Sequence, residues 1–217
     1  LPFTKISDLI DQNAPERAIQ TCLKADLTPL GLAHAVEQIQ DEYVVLREYP
    51  LGSGVVDFVV LSDRSRMAVT LVEIKGADFV FVDAKGFVSQ RITQAAQQLR
   101  ERMDQIADNY AHHRAEFHRA RLGLEDGRRT YGGLVGPHGF LNVDPLKDIK
   151  VYGVVIGGRT RDDRQESHLR NQLEKHTPRV VFESWDSWLR KHGQKRQPAK
   201  LTLEHIRAIS SPDAGPQ

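Results

Sequence analysis

Asp57, Glu73 and Lys75 are the residues whose types and spacing could do chemistry. Each is a charged side chain inside an apolar run, Val55-Val-Asp-Phe-Val-Val-Leu for the first and Leu71-Val-Glu-Ile-Lys for the other two. A charge in a buried strand is expensive unless it is paired, hydrogen-bonded or bound to metal. Side chains alternate along a strand, so Glu73 and Lys75 share a face. An antiparallel hairpin across the polar turn Ser62-Asp-Arg-Ser-Arg has one register that pairs Val59 with Leu71 and Leu61 with Val69. That register also sets Asp57 opposite Glu73. Two carboxylates a few ångströms apart repel unless a cation sits between them. Hard oxygen ligands with room for several waters suit Mg²⁺, with Mn²⁺ able to substitute. A metal there lowers the pKa of bound water, and a lysine beside it orients the nucleophile or neutralises the transition state. The set suits phosphodiester hydrolysis; the alternative is a structural ion pair at a sheet edge.

The elements that must position these groups show as changes of period. Asn13-Ala-Pro-Glu reads as a helix start with Asn13 as cap, running to about Lys24, and Asp26-Leu-Thr-Pro breaks it. A second helix is expected over Leu32 to Asp41. Strands follow over Tyr43 to Tyr49, ended by Pro50, then Val55 to Leu61 and Met67 to Lys75, with a short one at Phe79 to Val82. From Ser89, Ile92, Ala95, Ala96, Leu99, Met103 and Ile106 make a helical stripe that continues toward Tyr110 and Phe117. Gly123 to Gly139 reads as a long loop. A strand over Val151 to Ile156, a helix over Arg164 to His176, a strand over Arg179 to Glu183 and a helix over Trp185 to Lys191 complete the core, with a further helix over Leu201 to Ile209. The order predicts an α/β fold, a mixed central sheet flanked by helices. We divide the chain into an N-terminal helical segment (1–44), a core (45–192) with an insertion around 107–149, and a polar tail (193–217).

Composition narrows the class. With 217 residues, 27% charged and 40% hydrophobic, the chain is an ordinary globular one. No apolar run has the length of a membrane span, and no secretory leader is visible, so no membrane partner is expected. One cysteine, Cys22, excludes an intramolecular disulfide and fits the cytoplasm; its surroundings point to a buried thiol. The sequence begins at Leu1 rather than methionine and is read as a piece with chain upstream. The net charge of +1 hides a gradient, from an acidic first third to a basic final third.

Other residues carry weaker signals. Glu37, 20 residues before Asp57, is the first choice for a glutamate that assists the metal from an early helix, with Glu16 and Glu48 competing. Gln94 and Gln98, one helical turn apart, could face the cleft and touch phosphate or water. Arg159 follows two glycines, a setting that lets a guanidinium approach a phosphate. His112, His113 and His118 lack the spacing of a helical zinc site, but with Arg114, Arg119, Arg121, Arg128 and Arg129 they could contact phosphates. Trp185 and Trp188 read as packing anchors.

The Asp…Glu-x-Lys hairpin resembles the core of the PD-(D/E)XK nuclease superfamily, the restriction-endonuclease-like fold. More narrowly, the whole block resembles the Shedu anti-phage nuclease domain. The resemblance rests on Val56-Asp-Phe-Val-Val, Leu71-Val-Glu-Ile-Lys, the helix from Ser89 with Ala95-Ala-Gln-Gln-Leu, Val154-Val-Ile-Gly-Gly-Arg and Val181-Phe-Glu-Ser-Trp-Asp-Ser-Trp-Leu. It covers residues 45–190. It implies a metal-dependent DNA endonuclease with Asp57 and Glu73 as metal ligands, Lys75 as the catalytic lysine and Gln98 as an auxiliary residue. Arg102 stands where many family members place a tyrosine. The resemblance further implies anti-phage defence, double-stranded DNA as substrate, a homo-oligomer and regulatory domains upstream. The alternatives are an RNA nuclease and a non-catalytic DNA-binding or assembly module that kept the fold.

Overall fold

Six runs of β-branched and aliphatic residues form one sheet. The computed structural model describes residues 2–193. Its strands are β1 (Val44–Leu51), β2 (Gly54–Ser62), β3 (Ala68–Ile74), β4 (Leu134–Val135), β5 (Lys150–Ile156) and β6 (Val180–Glu183), in the spatial order β4-β1-β2-β3-β5-β6. The first four in that order are antiparallel neighbours, and β3-β5-β6 run parallel. The expected α/β fold with a mixed sheet is therefore what forms, consistent with a PD-(D/E)XK-like core.

Seven helices cover the two faces: α1 (Thr4–Asp11), α2 (Glu16–Ala25), α3 (Thr28–His34), α4 (Gln90–Asp108), α5 (Tyr110–Glu125), α6 (Asp163–His176) and α7 (Trp185–His192). Val59, Leu61, Val69, Leu71 and Val155 pack under α4, α5 and α6. Phe58, Val60, Val72, Ile74, Val154 and Ile156 pack under α1, α2, α3 and α7, where Trp185 and Trp188 are fully buried, as packing anchors should be. Burying two such rings removes several hundred square ångströms from water and stabilises this face strongly.

Several boundaries differ from the sequence expectation, each for a local reason. Helix α1 was not anticipated; it is eight residues long and has no side-chain cap. Asn13 does not cap α2: it holds a left-handed φ of 51°, and Pro15 takes the cap position. Asp26 does break the chain, but its Oδ1 accepts from the Thr28 N–H at 3.0 Å and Pro29 fills the first turn, so α3 starts at Thr28 and ends at His34. Pro50 does not end β1. It pairs with Val55 on one side, and β4 reaches only Val44 and Val45 on the other, so its missing N–H costs no ladder bond. The expected strand at Phe79–Val82 is reduced to isolated bridges. Asn109 separates α4 from α5, and α5 extends into the expected loop as far as Glu125. The expected helix at Leu201–Ile209 lies outside the described residues.

One contact ties the closing helix to the reactive strand. The indole Nε1–H of Trp185, the first residue of α7, donates to the carbonyl oxygen of Lys75 at 2.8 Å. Trp185→Phe keeps the ring but leaves that carbonyl unpaired, a loss of about 1–3 kcal/mol. The expected readout is a lower urea midpoint at unchanged m-value; an unchanged midpoint contradicts the anchor.

Candidate active site

The hairpin of β2 and β3 forms in the expected register. Val59 pairs with Leu71, Leu61 with Val69, and Phe58 with Val72 at the last step. The regular alternation then slips. Val56 and Val59 both serve the core beneath α4, while Phe58 and Val60 serve the other face, so the strand turns over at Asp57. Across the sheet, Arg47 pairs with Phe58 and Tyr49 with Val56, which sets Glu48 opposite Asp57. Glu48 has a left-handed φ of 49°, the backbone irregularity that accompanies the slip. Asp57 uses its side chain where the ladder stops: Oδ2 accepts the backbone N–H of Ile74 at 2.9 Å.

Glu73 and Lys75 lie on β3 and its continuation. Glu73 is 8% exposed, and its Oε2 is buried without a hydrogen-bond partner. Burial first, and the Asp57 charge second, push the Glu73 carboxyl up to about 8. Burial also raises Asp57, partly offset by the Ile74 N–H and by Lys75. Two neighbouring carboxyls are thus poised to hold a proton or a cation rather than two bare charges. The Lys75 side chain is 16% exposed, and its Nζ lies 3.5 Å from Glu16 Oε1. Gly157, just past the end of β5, makes room for it: a Cβ there would fall 2.6 Å from the Lys75 Cβ.

Helix α2 supplies two residues the sequence reading missed, Gln20 and Lys24, and one it held as an alternative, Glu16. Glu16, Gln20 and Lys24 fall at i, i+4 and i+8, a stripe bordering the buried Ile19 and Leu23. Gln20 Nε2 donates to Asp57 Oδ1 at 3.1 Å and to Glu16 Oε1 at 3.3 Å. Lys24 Nζ holds Glu48 at 2.8 Å, which keeps that carboxylate exposed and away from the pair. The signal available was the polar stripe itself, aligned with an apolar one. Glu37 was the first choice for the helical glutamate, and the structure does not bring it to the group. The helix expected to carry it ends at His34, and Glu37 opens a short 3₁₀ turn, with no hydrogen bond or ion pair to Asp57, Glu73 or Lys75. Glu16 occupies that place.

The other expected residues divide. Gln94 and Gln98 are exposed on α4, and their side chains make no hydrogen bond among the described residues. They share a helical stripe with Arg102, whose guanidinium lies against Gly54 at the tip of the β1–β2 hairpin, so the stripe runs alongside the start of β2. Arg159 is not free to meet a phosphate. Asp186 takes it bidentately at 2.8–3.1 Å, and the Ile10 carbonyl and Asn13 Oδ1 accept from its Nη1. It clamps α1, the end of β5 and α7 together. Arg121 is likewise committed, to Glu125 at 2.8 Å. Cys22 is only half-buried, and burial raises its thiol.

The donor set fits a hard divalent cation. Among the described residues, no group of three or more His, Cys, Asp or Glu side chains is placed to hold a metal. Mg²⁺ keeps several waters and asks for one or two carboxylates. Asp57 and Glu73, one of them with an orphaned buried oxygen, meet that requirement. Such an ion would offset the burial that lifts both carboxyls and the Asp57 charge that adds to it at Glu73.

This has a consequence for the metal-free protein. A carboxyl raised in the folded state binds its proton there at pH values where the unfolded chain has lost it. Stability therefore falls as pH rises from the ordinary carboxylate range toward 8, by no more than about 1.4 kcal/mol per pH unit for one proton. Urea titrations from pH 5 to 8 in EDTA should show that slope in the wild type and a flatter one in Glu73→Gln. Equal slopes in the two proteins contradict it.

Comparison with known proteins comes to the same hairpin. No curated protein matches the chain. A family model described as Shedu protein SduA, C-terminal, matches residues 13–189, a span that holds Glu16, Gln20, Asp57, Glu73 and Lys75. The chain belongs to this Shedu SduA C-terminal family, the nuclease domain of an anti-phage defence system.

Proposed function

We propose that this domain hydrolyses phosphodiester bonds in double-stranded DNA, with Mg²⁺ held by Asp57 and Glu73 and Mn²⁺ able to replace it. The observation that carries the reading is the pair of carboxyls, Asp57 half-buried and Glu73 buried with an oxygen unpartnered among the described residues, beside a largely buried lysine at one end of a hairpin. A bound divalent ion there supplies an acidified water and a counter-charge for phosphate oxygens. The chain's own groups do the rest. The Ile74 N–H and Gln20 fix the two oxygens of Asp57, so its carboxylate has one orientation. Glu16 holds the Lys75 ammonium at the mouth of the group, where its charge orients the attacking water or meets the charge growing on phosphorus oxygens. Gln94 and Gln98, exposed and unpaired, are positioned on α4 to touch the phosphate of the bound strand. A homo-oligomer acting in the cytoplasm fits the defence role of the family.

Plasmid cleavage tests the reading. Wild type with Mg²⁺ or Mn²⁺ should cut and with EDTA should not. Lys75→Ala should lose at least about 100-fold, the usual scale for removing one charge-stabilising group. Lys75→Ala cutting at the parental rate removes the lysine from the mechanism. Cleavage that survives EDTA removes the metal.

A further inference from the structure

His118 on α5 is a polar group with no job in the chemistry described above. It is 5% exposed, yet neither ring nitrogen has a hydrogen-bond partner among the described residues. Burying an unpaired polar group costs free energy, so such a group calls for an explanation. Phe117, Ala120 and Leu124 on the same helix fill the core, so an apolar residue was available for position 118.

The ring lines an open groove of about 390 Å³ between α5 and Pro145. Arg114, Arg119 and Arg128 stand around it, and Ala115, Leu122 and Pro145 give it apolar surface. None of the residues lining the groove carries a carboxylate. Arg114 donates to the Leu146 carbonyl at 3.3 Å and has no carboxylate partner among the described residues. Arg119 pairs with Glu116, and Arg128 with Asp126, through exposed contacts that are weak in water and easily exchanged. Arg121, one turn from His118, leaves its buried Nε unpartnered as well. Burial, Arg121 and Arg114 hold the imidazole below its ordinary pKa, against a smaller opposing effect of Asp144.

The geometry points to a second anion site: we infer that this groove binds a phosphate ester, with His118 and Arg114 donating to its oxygens and the attached sugar or base lying on Ala115, Leu122 and Pro145. A guanidinium and an imidazole N–H suit a phosphate, and the volume is that of a small-ligand pocket. The site is separate from the carboxyl pair. The Asp144 N–H bonds to the Ser65 carbonyl in the β2–β3 turn, at the far end of the hairpin. Ala68 at that end lies five residues from Glu73, roughly 16 Å along β3. The ester is either a free nucleotide or a phosphodiester of a nucleic-acid strand, and the chemistry of recognition is shared. The inference does not depend on the carboxyl pair being catalytic, and its test reads no cleavage.

The test follows the His118 ring by NMR in full-length Lys75→Ala protein, with the resonance assigned from His118→Asn. Three probes are added at constant ionic strength: inorganic phosphate, adenosine monophosphate, and a 12-base-pair duplex with 5′-hydroxyl ends. At least one should shift the ring resonance saturably and raise its pKa, because an anion favours the imidazolium. The double variant Arg114→Gln/Arg119→Gln should weaken that probe at least tenfold. A response to the monophosphate probes alone assigns the site to a free ligand, and a response to the duplex assigns it to a strand. If His118→Asn does not fold, the exposed-arginine variant still decides: binding of every probe unchanged in it overturns the inference. So does a ring that responds to none of the probes beyond an equal addition of sodium chloride.

Discussion

Two carboxyls held at the buried end of one hairpin are the constraint around which this domain is arranged. Left alone they repel, and each desolvates the other. The surrounding contacts are the responses to that cost. The Ile74 N–H and the Gln20 amide take one oxygen each of Asp57. Lys24 draws Glu48, the carboxylate opposite Asp57 in β1, outward and away from the pair. Lys75 brings a positive charge to the mouth, steadied by Glu16. One buried oxygen of Glu73 remains unanswered, and a hard cation answers it with the fewest changes.

The fold serves this cluster by fixing three elements against one another. The antiparallel register of β2 with β3 brings Asp57 to Glu73. The parallel pairing of β3 with β5 continues to Ile74 and Ile156, and the Lys75 N–H bonds the Ile156 carbonyl at 2.7 Å, so the lysine backbone is held beyond the end of the strand. Trp185 closes it from α7, while Arg159 binds α7 back to α1 through Asp186 and the Ile10 carbonyl. An arginine used in this way is a structural tie, and its local sequence, Gly157-Gly-Arg, does not distinguish a tie from a phosphate contact.

Much of this was legible in the sequence because charge in an apolar strand is costly enough to need a reason. Asp57, Glu73, Lys75 and their register followed from alternation and turn position alone. The N-terminal region was less legible. Glu37 was favoured because a helix was extended through it, whereas the chain leaves helical geometry after His34. Glu16 stood only as a competitor to Glu37, and Gln20 was discernible only as part of a polar stripe on a short amphipathic helix, a pattern that solvated faces share. The slip at Asp57 depends on the left-handed backbone of Glu48, and no propensity marks a glutamate for that conformation. His118 appeared as one of several basic residues; its burial without a partner is a tertiary fact, set by how α5 packs beside Pro145.

A divalent cation held by Asp57 and Glu73 would take the place of a proton shared between them. Calorimetric titration of Mg²⁺ into the metal-free protein, repeated near pH 7 in buffers of different ionisation enthalpy, measures that exchange directly. Saturable binding to one site with proton release is expected in the wild type, and loss of both in Asp57→Asn. Binding that releases no proton, or that persists unchanged in Asp57→Asn, would contradict it.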